Sequence, residues 1–337
     1  MSETQSTDIA IIGAGPVGLF AVFEAGMLEM RCHVVDALDA PGGQCTALYP
    51  EKPIYDIPGH PEIGGGALVE ALLAQAAPFA PVYHLGHRIE RLSPVAGGGW
   101  RLESDKGLAL EARAVIVAAG GGMFGPNRPP LAGIEAYEGT SVFYAIARRE
   151  EFRDQRLVIG GGGDSAVDWA ISLAEVAKSV QIVHRRPKFR AAPESVARLH
   201  ALADAGQVEL VVPYQLAGLE GAEGRLSAVV VRTLDGEVRR LPADVLLPFY
   251  GLSTELGPIA EWGLETEHNL VSVDPARFST SAPDIFAIGD IVTYPGKLKL
   301  ILCGFSEAAM ATQAIHPLVH PSEALHFEYS TTKGLPT

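Results

Sequence analysis

Three glycines close to the N-terminus, Gly13, Gly15 and Gly18, have the spacing Gly-x-Gly-x-x-Gly. They follow a run of strand-forming residues, 9–12, and precede a segment, 19–27, for which the sequence predicts a helix. In such a turn the first glycine permits the sharp change of direction, the second lets a pyrophosphate approach the backbone, and the third lets the helix pack on the strand. Free N–H groups at the helix N-terminus then bind the phosphates. The spacing therefore predicts a dinucleotide site.

An acidic residue follows at the distance that a ribose contact requires. Asp36 ends a second strand-like run, 32–35, about 20 residues after the glycines, where its carboxylate can accept hydrogen bonds from an adenosine ribose. A long loop rich in glycine and proline, 41–59, contains Tyr49, whose ring is a candidate to stack on a flavin. The acid favours an unphosphorylated ribose, so this site suits FAD. A glycine turn in an ordinary strand–helix unit is the alternative.

A second glycine turn has the opposite charge beside it. The variant Gly-x-Gly-x-x-Ala supplies five residues that we expect to contact a cofactor: Gly161, Gly163, Asp164, Ser165 and Ala166. The next predicted strand, 180–183, is followed by a basic cluster: His184, Arg185, Arg186 and Arg190. Arginines form charge-assisted, often bidentate bonds with a 2′-phosphate, which a carboxylate would repel. The second turn therefore predicts an NADP(H) site, and a solvated basic surface is the alternative.

The bulk composition narrows the function classes. A formal net charge of −14 argues against general nucleic-acid binding. The three cysteines, Cys32, Cys45 and Cys303, are far apart and form no Cys-x-x-Cys, and the ten histidines form no metal-ligand motif. The sequence has neither a signal-peptide pattern nor a run of about 20 apolar residues. We therefore expect a soluble, cytoplasmic protein without a metal site or a membrane span.

Two dinucleotide sites predict an α/β fold with two dinucleotide-binding (Rossmann-like) domains, the second inserted in the first. We expect a discontinuous FAD-binding domain, 1–120 and 250–337, around an NADP(H)-binding domain, 121–249. Three further segments have the pattern of single strands: 82–92, 100–110 and 208–216.

The motifs together resemble one family. The glycine turn 13–18, the runs 49–56 (Tyr-Pro-Glu-Lys-Pro-Ile-Tyr-Asp) and 161–170 (Gly-Gly-Gly-Asp-Ser-Ala-Val-Asp-Trp-Ala) and the basic 184–186 are similar to the thioredoxin-reductase-like ferredoxin/flavodoxin–NADP⁺ reductases. The resemblance covers nearly the whole chain and implies the thioredoxin reductase fold and a homodimer. It also implies hydride exchange between NADP(H) and flavin N5, followed by direct one-electron steps to ferredoxin or flavodoxin. No catalytic side chain is then needed.

The resemblance further implies which residues hold FAD. Asp36 should bind the adenosine ribose, while Gln44 and Tyr49 should lie along the ribityl chain and the ring system. Ile89 should contact the adenine end through its backbone, and Phe124 should touch the flavin. The C-terminal part supplies the remaining implied contacts. Asp290 should hold the ribityl or phosphate part, and Thr331 should hydrogen-bond near the ring system. Tyr329 is a candidate to cover the second face of the ring.

One departure from thioredoxin reductases separates the possible activities. Those enzymes carry a Cys-x-x-Cys pair just upstream of the second glycine turn, where residues 144–147 here are Tyr-Ala-Ile-Ala. Without a dithiol, electrons must pass directly between the flavin and an external carrier. The alternatives are a disulfide reductase that uses a separate dithiol partner and a non-catalytic flavin redox sensor.

An acidic carrier such as ferredoxin or flavodoxin requires a basic docking surface on this acidic chain. Two groups of residues are candidates, and ordinary solvated charges are the alternative for both. They are Arg148, Arg149 and Arg153 in the inserted domain, and Lys297 and Lys299 near Asp290.

Overall fold

The structure, a computed structural model, describes residues 4–323 and Gly334, with the backbone alone for residue 124 and residues 252–254. The chain divides into two compact units. Unit 1 comprises residues 1–124 and 254–337, and unit 2 comprises residues 125–253.

The α-helices are α1 (Pro16–Met27), α2 (Gln44–Ala47), α3 (Gly65–Ala76), α4 (Asp164–Leu173), α5 (Pro193–Asp204) and α6 (Ile301–Val319). Short 3₁₀ turns lie at Ala77–Phe79, Ile134–Ala136, Arg149–Phe152, Gly257–Glu261 and Gly289–Ile291. The strands up to the middle of the chain are β1 (Gln5–Ile12), β2 (Cys32–Asp36), β3 (Pro53–Ile54), β4 (Ile63–Gly64), β5 (Val82–Leu85), β6 (Ile89–Pro94), β7 (Trp100–Ser104), β8 (Ala109–Val117), β9 (Met123–Pro126) and β10 (Arg156–Gly160). The remaining strands are β11 (Ser179–Val183), β12 (Val208–Val211), β13 (Gln215–Ala222), β14 (Arg225–Arg232), β15 (Val238–Pro242), β16 (Val245–Pro248), β17 (Leu252–Glu255), β18 (Thr266–Glu267), β19 (Leu270–Ser272), β20 (Ile285–Ala287) and β21 (Val292–Thr293).

Unit 1 is organised around a central sheet in which β1 lies between β2 and β8, parallel to both. The second half of β1, residues 9–12, is buried on both faces, as expected for a strand inside a parallel sheet. Ile9 and Ile11 pack with α1 and α6, while Ala10 and Ile12 face a second cluster that includes Leu256. On the edge of β8 away from β1, β20 pairs in parallel with residues 115–117, and β7 pairs antiparallel with residues 109–112 and is followed by β6.

Unit 2 repeats this plan on a smaller scale. Its parallel sheet has the order β12–β11–β10–β16, and α4 and α5 connect its strands. An antiparallel meander, β13–β14–β15, packs its apolar residues Val229 and Val231 with Val158 of β10.

The structure corrects three strand predictions. The segment 82–92 is two strands, because Gly86 turns the chain at φ +70° between a strand that pairs with β2 and one that pairs with β7. The segment 100–110 is interrupted at Gly107, which has φ +82°. The segment 208–216 is likewise two strands, β12 and the start of β13, which belong to different sheets. In each case tertiary pairing overrides a continuous β pattern.

Candidate cofactor-binding sites

The first glycine turn has the geometry of a phosphate cradle. Gly13 has φ +114°, and a side chain there would lie 2.3 Å from the carbonyl oxygen of Ala118, so this position requires glycine. Gly18 packs against the carbonyl of Gly13, where a Cβ would come within 2.0 Å of the oxygen. Gly15 differs, since a Cβ there would meet no atom within 4 Å, and it caps α1 without a side-chain hydrogen bond. The first N–H groups of α1 are therefore available to an anion.

A cavity of about 380 Å³ opens beside this turn, within the size range of small-molecule sites. Its walls come from the ends of β1, β2 and β8 and from the turn that follows β20. Of the residues predicted to bind FAD, seven line it: Gly13, Gly15, Asp36, Gln44, Tyr49, Ile89 and Asp290. The space beside Gly15, the uncapped N-terminus of α1 and these seven residues that line the cavity fit a dinucleotide.

Asp36 shapes the turn as well as facing the cavity. One carboxylate oxygen accepts the N–H of Ala14 at 2.6 Å, and the other accepts the N–H of Leu38 at 2.8 Å. Burial raises the pKa of Asp36, and the two N–H groups oppose that rise by stabilising the ionised carboxylate. Each oxygen retains a further lone pair that a ribose hydroxyl can use.

The other predicted FAD residues are placed differently. Gly18 supports the turn by packing and does not face the cavity. The side chain of Phe124 is outside the described part of the structure, although its backbone belongs to β9. Thr331 and Tyr329 lie outside the described residues. Their roles stay predictions.

Several cavity residues were missed from the sequence. They come from the turn between β5 and β6 and from the 3₁₀ segment after β17: His87, Arg88, Pro258, Ile259 and Trp262. Trp262 is fixed by a hydrogen bond from its indole N–H to the carbonyl of Glu90 at 3.2 Å. No local pattern marks these positions, because only the folded sheet brings residues 87–88 and 258–262 to one wall.

The second glycine turn, in unit 2, is built in the same way. Gly161 has φ +147°, and a Cβ there would lie 2.6 Å from the carbonyl oxygen of Phe249 and 3.0 Å from the Cβ of Ala166. Gly163 caps α4 without a side-chain bond and is exposed, as are Asp164 and Ser165 in the first turn of the helix. Asp164 accepts the N–H of Ala192 at 2.9 Å and so ties the next loop to this end of α4. Gly161 and Ala166 are buried and serve packing.

The basic cluster follows β11 beside this turn. Arg185, Arg186 and Arg190 are exposed, and within residues 4–323 no carboxylate lies at ion-pair distance from any of them. His184 is buried, with 9% of its surface exposed, and its Nε2 has no hydrogen-bond partner among the described atoms. Burial lowers the pKa of His184, and the charges of Arg190, Arg185 and Arg186 lower it further, which favours the neutral ring. The cluster is therefore a concentration of uncompensated positive charge.

The predicted basic docking residues have a different character. Arg148, Arg149 and Arg153 each form an ion pair with a glutamate, to Glu151, Glu175 and Glu150 respectively. These pairs neutralise much of the positive field expected there.

Lys297 is not a surface cation. Its side chain is 7% exposed and is paired with the buried carboxylate of Glu307. Lys299 is exposed, and its docking role stays a prediction.

The cysteines offer no dithiol. Cys32 and Cys45 are buried, and burial raises the pKa of the Cys45 thiol to about 11, which disfavours the reactive thiolate. Among the described residues no three His, Cys, Asp or Glu side chains converge into a metal-binding group. In the same part of the chain no helix is long and apolar enough to cross a membrane.

Comparison with known proteins agrees with this arrangement. Residues 7–314 match the family model described as pyridine nucleotide-disulphide oxidoreductase. The chain is 66% identical to a ferredoxin–NADP reductase of Paramagnetospirillum magneticum over 98% of both chains, and 61% identical to one of Rhodospirillum rubrum over 99% of this chain and 98% of that protein. These relatives confirm the resemblance inferred from the motifs.

Among solved structures, thioredoxin reductase from Lactococcus lactis is similar, with a TM-score of 0.79 and 23% identity over 94% of this chain and 99% of that chain. At this identity the likeness concerns the fold alone, and it confirms the predicted thioredoxin reductase fold.

Proposed function

The chain belongs to the pyridine nucleotide-disulphide oxidoreductase family, and from this premise we propose that it transfers electrons between NADP(H) and a ferredoxin, with FAD as its resident cofactor. The observation that carries the proposal is the charge difference between the two glycine turns. The turn of unit 1 is followed by Asp36, and the turn of unit 2 by His184 and three exposed arginines. One site therefore suits an unphosphorylated adenosine and the other a 2′-phosphate.

FAD would occupy the cavity of unit 1. The N–H groups at the start of α1 would bind the pyrophosphate, Asp36 the ribose, and Ile89 the adenine end. Gln44, Tyr49 and Asp290 would hold the ribityl chain and the ring system. When bound, the flavin supplies two-electron exchange with nicotinamide at N5 and one-electron exchange with the carrier. The described side chains would bind and orient it, and none is required as a nucleophile.

NADP(H) would bind to unit 2. The first turn of α4, with Gly163, Asp164 and Ser165, would accommodate the pyrophosphate, and Arg185, Arg186 and Arg190 would hold the 2′-phosphate by charge-assisted hydrogen bonds. Because these arginines have no acidic partner in residues 4–323, their donors are available without breaking an ion pair.

The missing Cys-x-x-Cys distinguishes this proposal from thioredoxin reduction. The chain has three cysteines, and two of them are buried thiols in separate parts of unit 1. Electrons would therefore leave the flavin for an external carrier without an intervening protein dithiol. Ferredoxin is the carrier in the names of the relatives, and flavodoxin is a second carrier of the same one-electron type.

A carrier screen tests the proposal. Purified holoprotein is assayed with NADPH and cytochrome c, with ferredoxin, flavodoxin or thioredoxin added in turn and a no-carrier control. We expect cytochrome c reduction only with ferredoxin or flavodoxin. Equal rates without any carrier would count against the proposal. Reduction of a disulfide dye through added thioredoxin, abolished by Cys45→Ser, would support the disulfide-reductase alternative. Slow flavin reduction by NADPH in stopped flow would support a redox sensor.

We further propose a cytoplasmic homodimer, in which residues 1–120 and 250–337 form the FAD-binding domain and residues 121–249 the NADP(H)-binding domain. Light scattering should give twice the chain mass of 35.6 kDa. A monomeric mass at micromolar concentration would exclude the dimer.

A further inference from the structure

Glu307 is a buried carboxylate that the proposed electron transfer does not use. It lies in the second turn of α6 with 2% of its surface exposed, among the buried helix positions Gly304, Ala308 and Ala311. A carboxylate in such surroundings requires strong donors, since burying an unpaired charge is very costly.

Three donors converge on this carboxylate. Oε2 accepts the backbone N–H of Gly289 at 2.6 Å, and Oε1 accepts the hydroxyl of Tyr294 at 2.8 Å and the ammonium of Lys297. The Lys297 ammonium also lies 5.6 Å from the centre of the Tyr294 ring. The lysine is thus withdrawn from solvent and held between the carboxylate and an aromatic face.

The bond to Gly289 connects this network to the cavity. Gly289 has φ +80° and begins the 3₁₀ turn in which Asp290 faces the cavity. A Cβ added at Gly289 would point toward Val17 of α1, at 3.6 Å from that side chain. Glu307 therefore fixes, from behind, the backbone that presents Asp290 to the flavin position.

We propose that the buried Glu307–Lys297 ion pair is a positioning element for the flavin, which holds the Gly289–Asp290 turn in place and sets the flavin reduction potential through its two opposed charges. The inference rests on the proposed FAD site. It gives Lys297, which the sequence marked only as a candidate docking residue, a buried role together with Glu307.

The two charges predict the direction in which each variant shifts the flavin reduction potential. Burial raises the pKa of Asp290, Lys297 and Lys299 lower it, and Glu307 raises it, so both charges of the pair act on a residue that lines the cavity. Reduction places negative charge on a flavin, and the charge of the surrounding protein shifts the equilibrium. Removing the carboxylate of Glu307 leaves an uncompensated ammonium and favours the reduced flavin. Removing the ammonium of Lys297 leaves an uncompensated carboxylate and favours the oxidised flavin.

The test compares Glu307→Gln, Lys297→Gln and the double variant as holoproteins, with Tyr294→Phe as a control that removes one donor but keeps both charges. Spectroelectrochemical titration at pH 8 gives the flavin midpoint potential, and flavin fluorescence gives FAD affinity. We expect a higher potential in E307Q, a lower one in K297Q, and a near-wild-type value in the double variant and in Y294F. FAD affinity should fall most in Glu307→Ala, which leaves the Gly289 N–H without an acceptor.

The outcomes separate the two proposals. Absence of bound FAD in the wild-type protein would contradict the proposed function itself. A wild-type protein that binds FAD, with E307Q and K297Q potentials that shift in the same direction or remain unchanged, would overturn the ion-pair inference alone. Shifts as large in Y294F as in E307Q would also overturn it, because they would indicate a packing effect without a charge effect.

Discussion

The glycine turns of the two units form equivalent backbone hydrogen bonds, and equivalent residues are separated by the same number of positions along the chain. Gly13 donates to Val35 at 2.8 Å, and Gly161, 148 positions later, donates to Val183 at 3.0 Å. The same offset relates the bond from Gly42 to Ala14, at 2.8 Å, to the bond from Arg190 to Gly162, at 2.7 Å. The scaffold of the turn is thus the same in both units, and the side chains on it differ.

The difference lies at the end of the second strand of each unit. Asp36 in unit 1 corresponds by this offset to His184 in unit 2. Asp36 accepts two backbone N–H groups, whereas the ring of His184 occupies the space beside Gly162, where a Cβ would lie 2.4 Å from the imidazole. At this position a carboxylate in unit 1 is replaced by a neutral imidazole in unit 2, and the exposed Arg185, Arg186 and Arg190 supply the positive charge. The opposing residue, Ala14 or Gly162, is matched to the side chain in size.

The largest expected effect comes from removing Asp36, the acidic residue beside the glycine turn of unit 1. Asp36→Ala leaves the N–H groups of Ala14, which is buried, and Leu38, which is partly buried, without acceptors, at a cost of about 1–3 kcal/mol for the buried one, and removes the proposed ribose contact. We expect the variant to purify with little FAD and a lower melting temperature. Flavin absorbance per chain and thermal unfolding measure both effects.

The control for this variant is Asp39→Ala, which removes an exposed carboxylate from the same loop. It should keep full flavin content. Equal flavin content in Asp36→Ala and wild type would contradict the proposed role of Asp36 in FAD binding. Asp36 would then not be what distinguishes the cofactor of unit 1 from that of unit 2.

The next largest effect is expected from removing an arginine beside the glycine turn of unit 2. Arg185→Ala or Arg186→Ala removes charge-assisted bonds to a 2′-phosphate, which are worth about 1.5–3 kcal/mol. We expect the Michaelis constant for NADPH to rise by roughly 10- to 100-fold and that for NADH to change little. Steady-state kinetics with both nucleotides measure the two constants.

Arg232→Ala, an exposed arginine on β14, is the matched control and should alter neither constant. If Arg185→Ala and Arg186→Ala weakened NADPH and NADH equally, the cluster would contribute only a general positive field, and the assignment of the 2′-phosphate would be wrong.

Much of this contrast could be predicted from sequence, because both turns are local. The glycine spacing, Asp36 and the arginines all lie within about 30 residues of each turn, the length of one strand–helix–strand unit. The cavity wall formed by His87, Arg88 and Trp262 could not, because sheet pairing assembles it from distant segments.

Lys297 shows a second limit of sequence reasoning. A lysine in a loop rich in glycine and proline has the pattern of a surface cation, yet its partner Glu307 lies on the buried face of a helix that begins four residues later. The available signal was the helical spacing of Gly304, Ala308 and Ala311, which places Glu307 on the apolar side. A charged residue on that side indicates a buried partner, but the spacing does not identify it.

The smallest expected effect concerns the size match between Gly162 and His184. Gly162→Ala forces a methyl group against the imidazole, and we expect a loss of about 1–3 kcal/mol in stability together with weaker NADPH binding. If the clash is with the ring, His184→Ala should remove it, so Gly162→Ala should cost far less in an H184A background. A double-mutant cycle on melting temperature and NADPH affinity measures this coupling.

In unit 1 the corresponding change, Ala14→Gly, relieves no clash, since the N–H of Ala14 already bonds to the smaller carboxylate of Asp36. Additive effects of Gly162→Ala and His184→Ala would show that the glycine is required by the backbone, and the pairing of residue size with charge at the two turns would then be coincidental.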